Sequence, residues 1–108
     1  MSTPEPMPAA YYALTATEAE FMSAVVDLAT LTGWTTYHTY DSRRSNHGFP
    51  DLVLVRPPKL VFAELKREKG KPTKPQDAWL ALLSRIPGVG AFLWRPSDWP
   101  EIEKVLAR

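Results

Sequence analysis

Two carboxylates and one lysine define the chemistry open to this chain. Asp51 follows Pro50 at the head of the apolar run 52–55, and Glu64 and Lys66 close the run that starts at Leu60, with twelve residues between Asp51 and Glu64. Twelve residues suffice for a strand, a tight connection and a returning strand, so both carboxylates come to one end of a β-hairpin. Because side chains alternate along a strand, Glu64 and Lys66 share one face, while Leu65 joins Val61 and Ala63 on the other. Two adjacent carboxylates repel unless a divalent cation neutralises them, and a hard ion such as Mg²⁺ takes such oxygen ligands. A lysine beside them suits phosphoester hydrolysis, where it orients the attacking water and offsets charge building on the phosphate. Taken singly, each residue has a plainer reading: Asp51 as a turn cap, Glu64 and Lys66 as a pair on the wet face of a strand. Their convergence at one hairpin end favours the chemistry.

The elements that must position them can be read from spacing. Thr15-Ala16-Thr17-Glu18 fits a capping box with Thr15 as N-cap, and Phe21, Val25 and Leu28 follow at helical spacing until Gly33. Thr35 to Tyr40 reads as a strand, and 41–48 as a polar loop. Leu52 to Val55 and Leu60 to Lys66 are the hairpin strands, joined by the short connection Arg56-Pro57-Pro58-Lys59. A loop over Lys69 to Pro75 precedes a helix over Gln76 to Ile86 that carries Trp79, Leu82, Leu83 and Ile86. Ala91 to Trp94 supplies a last strand, and Ser97 can cap a closing helix with Trp99, Ile102, Val105 and Leu106. The order αβββαβα predicts an α/β fold, one mixed sheet flanked by helices. The first ten residues hold three of the eleven prolines and read as a disordered arm, leaving 11–108 as a single domain.

Composition narrows the function classes. No apolar stretch is long enough to cross a bilayer, and the start lacks the pattern of a secretory signal, so a cytoplasmic protein is expected. With no cysteine and two histidines, disulfides are excluded and a zinc site is disfavoured, which points to Mg²⁺ or Mn²⁺ held by oxygen. A net charge of +1 is weak support for nucleic-acid binding, but the charge is segregated. No Lys or Arg precedes Arg43, whereas 56–74 holds Arg56, Lys59, Lys66, Arg67, Lys69, Lys71 and Lys74 against Glu64 and Glu68. For Lys69, Lys71 and Lys74 a solvated loop and a phosphate-contacting loop are equally good readings.

Gly48-Phe49-Pro50-Asp51 followed by Phe62-Ala63-Glu64-Leu65-Lys66 resembles the PD-(D/E)xK nuclease signature, and more narrowly the VRR-NUC family, with phage-type and Holliday-junction-resolvase-like relatives. The likeness runs from about Thr17 to the C-terminus. It implies a restriction-endonuclease-like fold and an Mg²⁺- or Mn²⁺-dependent DNA endonuclease acting on branched or flap DNA in replication, repair or recombination. In a phage-encoded protein that would mean the host cytoplasm. By the resemblance Asp51 and Glu64 are metal ligands, the Leu65 carbonyl a candidate third, and Lys66 the catalytic lysine. It also implies a glutamate from the first helix. Glu18 shares the stripe of Phe21 and Val25 while Glu20 is turned away, so Glu18 is favoured, although a capping role would explain it equally well. Gln76 matches a glutamine at the start of the helix after the hairpin; a solvent-facing first-turn residue is the alternative. The chain departs from the family at Met22, where a glutamine often stands.

Arg43 and Arg44 resemble the arginine loop of phage relatives and are expected to contact phosphate, as are His47, Arg67, Lys69, Lys71 and Lys74. His38 reads as a strand-packing residue. Of the four tryptophans most are expected in the core, with Trp94, Trp99 and Ile102 an alternative dimer surface, since a homodimer would let two sites act on opposite strands. Two rival functions remain: a non-catalytic nucleic-acid-binding or assembly module on the same fold, and a ribonuclease.

Overall fold

Residues 13–39 and 47–108 are described by a computed structural model; the proline-rich arm, Arg43 and Arg44 lie outside the described residues. The elements run α1 (Glu18–Leu31), β1 (Thr35–His38), β2 (Leu52–Arg56), β3 (Lys59–Leu65), α2 (Lys74–Ser84), β4 (Val89–Trp94), a 3-10 turn (Pro96–Asp98) and α3 (Trp99–Leu106), the expected αβββαβα order. One four-stranded sheet is ordered β1-β2-β3-β4, antiparallel between the first three strands and parallel between β3 and β4. It is the mixed sheet with flanking helices that a restriction-endonuclease-like fold requires.

Several boundaries differ from the sequence reading. Thr17, not Thr15, caps α1: its hydroxyl accepts from the Glu20 N–H (3.0 Å) and its own N–H donates to the Glu20 carboxylate (2.9 Å). Both threonines have an acid three residues on or nearby, so pattern alone could not choose between them. The hairpin strands pair one residue further round the connection, Arg56 facing Lys59, which leaves a two-residue Pro57-Pro58 turn and puts Lys66 just past β3. Thr73 caps α2, which starts at Lys74 two residues before Gln76, β4 begins at Val89, and Ser97 does not cap α3. Its N–H donates to Glu68 instead, and Asp98 precedes the helix.

Alternation along β3 divides the interior. Val61, Ala63 and Leu65 face α1 and α3 with Leu52, Leu54, Phe21, Val25, Ala29, Trp94, Ile102 and Leu106 in one buried cluster. Leu60, Phe62 and Glu64 lie on the opposite face, where α2 packs against β3 and β4. Trp94 and Ile102 are thus core residues, 2% and 0% exposed, and Trp99 packs against the same cluster. This overturns the dimer surface read from those three; each falls on the inward stripe of its element. The large exposed apolar side chains include Tyr37, Val55, Leu82 and Ile86. Among the described residues no helix is long and apolar enough to cross a membrane.

Arg56 leaves the basic series for a structural role. Its guanidinium lies 4.5 Å from the Trp34 ring centroid and donates to the carbonyls of Thr32 (2.7 Å), Leu106 (3.2 Å) and Ala107 (2.8 Å). One cation therefore caps the C-terminal ends of α1 and α3, where carbonyls lack helical partners and the dipoles favour positive charge. Arg56→Ala is expected to lower the unfolding free energy by about 2 kcal/mol or more, with Arg56→Lys recovering part of it. Urea denaturation of the three proteins measures this.

Candidate active site

Asp51 is fixed through both its backbone and its side chain. The β1–β2 ladder runs on past His38, with the Thr39 N–H donating to the Asp51 carbonyl (3.0 Å). The β2–β3 ladder stops at Leu52 opposite Ala63, and the Leu65 N–H beyond it donates to Asp51 Oδ2 (3.0 Å). One carboxylate oxygen thus replaces a strand carbonyl, and the side chain is held against the end of β3. On the other side of β3 the Lys66 N–H donates to the Trp94 carbonyl (3.0 Å), which anchors Lys66 although it lies outside the strand.

Glu64 is 2% exposed, the one buried charged residue among those described. Its Oε2 accepts from Gln76 Nε2 (2.8 Å) and lies 3.6 Å from Lys66 Nζ, while Oε1 is buried with no donor. Burial, and after it the charge of Asp51, push its pKa from 4.5 up to about 8, opposed only in part by Lys66. The reading of Glu64 and Lys66 as a solvated strand pair is therefore excluded for Glu64. The pair exists, with Glu64 buried and Lys66 half-buried beside it.

Gln76 is not a solvent-facing residue. It occupies position N3 of α2, where its Oε1 accepts from the Thr73 N–H (2.8 Å) and its own N–H donates to Thr73 Oγ1 (3.3 Å). A backbone N–H can only donate, so the capping box consumes the amide oxygen and turns the NH₂ toward Glu64. The start of α2 is pressed against the motif loop at Gly48, whose φ is +87°; a Cβ there would overlap the Pro75 carbonyl and crowd the Gln76 nitrogen. Phe49 completes the joint, edge-on to Phe62 (6.0 Å) and to Trp79 (5.1 Å).

Glu20 is spent on the cap of α1, which frees Glu18 from that role. Glu18 lines a groove of about 800 Å³ between α1 and β1, with Asp51 and Leu65 at its site end and His38 on its β1 wall. Among the described residues no three His, Asp or Glu side chains form one ligand cluster, so Asp51 and Glu64 are a pair that Glu18 has not joined. His38, read as a packing residue, is half-buried against this groove; its alternation with exposed Tyr37 was the available signal. His47, Arg67, Lys69, Lys71 and Lys74 are all exposed. Arg67 and Lys69 border a smaller hollow of about 280 Å³ with Leu14, Glu68 and Gly70. That loop is braced from the 3-10 turn, where Arg95 donates to the Gly70 carbonyl (2.9 Å).

The donor set suits a hard divalent cation. It offers the carboxylates of Asp51 and Glu64, and one Glu64 oxygen is buried with no donor. Without a cation, the raised pKa makes the Glu64 proton a source of stability. Its contribution is fully present below pH 4.5 and is lost as pH rises through about 8. Metal-free protein is expected to lose on the order of a few kcal/mol between pH 5 and pH 9 in urea titrations, and Glu64→Gln to flatten that slope. An unchanged slope in the variant would contradict the assignment. Gln76→Glu keeps the capping box but sets a third carboxylate against Glu64 in place of a donor. It should lower the unfolding free energy of the metal-free protein at pH 9 by about 1–3 kcal/mol and nuclease turnover by roughly tenfold or more, measured side by side.

No curated protein and no solved structure matches the chain. Residues 3–92 match the VRR-NUC domain, a span that contains the Gly48–Asp51 loop, the hairpin with Glu64 and Lys66, and the Gln76 helix. The geometry and this match agree: the chain belongs to the VRR-NUC family of nuclease domains, in the restriction-endonuclease-like superfamily.

Proposed function

We propose that the protein is an Mg²⁺- or Mn²⁺-dependent endonuclease that hydrolyses phosphodiester bonds in branched or flap DNA during replication, repair or recombination. The observation that carries this reading is the buried Glu64 carboxylate, one oxygen without a donor, set beside Asp51 at the end of the hairpin. A divalent cation would be held by Asp51, Glu64 and the Leu65 carbonyl, with Glu18 placed to approach from the groove. Once bound it would supply charge that stabilises the pentacovalent phosphate and lowers the pKa of water. Lys66 orients the attacking water and offsets the charge gained by the phosphate as the water oxygen bonds to phosphorus. The ester bond on the opposite side breaks, and the departing oxygen takes up a proton. Gln76 holds Glu64 in the rotamer that the site needs.

The exposed cations after β3, Arg67, Lys69, Lys71 and Lys74, together with His47 and the pair Arg43 and Arg44, contact phosphates and set register without reading sequence. A cytoplasmic homodimer acting on opposite strands fits this reading. Purified protein incubated with linear, flap and four-way DNA and a matching RNA, in Mg²⁺, Mn²⁺ or EDTA, tests it. Cleavage of DNA by the wild type is expected, abolished by EDTA and reduced at least a hundredfold in Lys66→Ala. Binding without metal-dependent cleavage would instead support an assembly module, and preference for the RNA a ribonuclease.

A further inference from the structure

The groove between α1 and β1 meets the metal site only at its Glu18, Asp51 and Leu65 end, and the rest of its length has no part in the account so far. Asp51 and Leu65 form one end, so a strand whose phosphate meets the Asp51–Glu64 pair has its neighbouring nucleotide at the mouth of the groove. We propose that this groove is a subsite for an unpaired nucleobase of the strand being cut, the base adjoining the scissile phosphate. The inference rests on the nuclease reading and adds a recognition element to it.

Charge decides which part of a nucleotide enters. Beyond the end that Asp51 and Glu18 give to the cation, the described lining holds Asp27 and no lysine or arginine, which disfavours a phosphate there. Among the described residues the cations near the site lie elsewhere: Lys66 is paired with Glu64, and Arg67 and Lys69 border the separate smaller hollow. Backbone phosphates therefore track along the loop after β3, and the uncharged base points the other way. The walls have the chemistry a base needs. Met22 and Val26 on α1 offer apolar surface and His38 on the inward face of β1 a flat ring, and Ser23, Thr36 and Asp27 offer hydrogen-bonding edges. A volume of about 800 Å³ leaves room for a base without displacing the walls. A base stacked and paired in continuous duplex can reach this place only by flipping out, at a cost that an already unpaired nucleotide does not bear.

The test uses full-length protein and flap DNA in which a single abasic nucleotide replaces each residue around the cleavage point in turn. One position, next to the scissile phosphate, is expected to lower kcat/KM by about tenfold or more, and the others by less than twofold. Ser23→Trp, which fills the groove from an exposed site on α1, should cost a similar factor on intact flap and nothing further on the abasic substrate. Asp27→Trp, at another exposed lining position, provides the same comparison if Ser23→Trp melts early. Equal cleavage of all abasic substrates, or losses that multiply between variant and abasic site, would overturn the subsite. If cleavage in that outcome still depends on Lys66, the nuclease reading survives; if no substrate is cut in a Lys66-dependent way, both fail.

Discussion

The structure depends on placing one carboxylate, Glu64, out of water beside a second, Asp51. Burial alone disfavours a charged side chain by several kcal/mol, and a like charge alongside adds to that cost. Such an arrangement persists only where rigid surroundings leave the side chain no better rotamer. Here the surroundings are the meeting of β3 with two strands of opposite sense: β2 runs antiparallel to it and ends short, while β4 runs parallel and continues to its last residue. The mismatch in length leaves the Leu65 N–H for Asp51 and puts Lys66 on the rim.

Around this pair, local rules of helix and turn formation do the positioning. The capping box of α2 is an ordinary device for satisfying orphan N–H groups, yet with glutamine at N3 it leaves a directed NH₂ over, and that donor meets Glu64. Gly48 is small because the motif loop and the start of α2 touch there, so the loop that delivers Asp51 and the helix that delivers Gln76 cannot move independently. Arg56, far from the site, ties the ends of α1 and α3 together and so keeps α1 seated on the sheet.

The fold class and the central triad were legible because they rest on periodicities that a sequence carries openly. The αβββαβα order follows from apolar spacing, and alternation along β3 separates Glu64 from Leu65 without any knowledge of packing. The VRR-NUC match confirms the likeness seen in Gly48–Asp51 and Glu64–Lys66. Boundaries were less legible, since Thr15 and Thr17 offer two capping frames and only contacts made by the folded helix choose Thr17. Arg56 looked like part of a basic stretch, because sequence distance hides the 24 to 51 residues separating it from the carbonyls it holds. The same blindness made Trp94 and Ile102 candidates for an interface when they are core. The groove beside His38 could not be foreseen at all, as it exists only in the space between α1 and the edge strand.

Cation binding at the carboxylate pair is the claim on which the rest turns. Calorimetric titration of Mn²⁺ into metal-free wild-type protein at pH 7, repeated in buffers of different ionisation enthalpy, examines it without reference to turnover. A saturable site is predicted, with net release of a proton from Glu64 as the ion enters, and loss of that site in both Asp51→Asn and Glu64→Gln. Undiminished binding in the two variants, or no saturable binding in the wild type, would contradict the account.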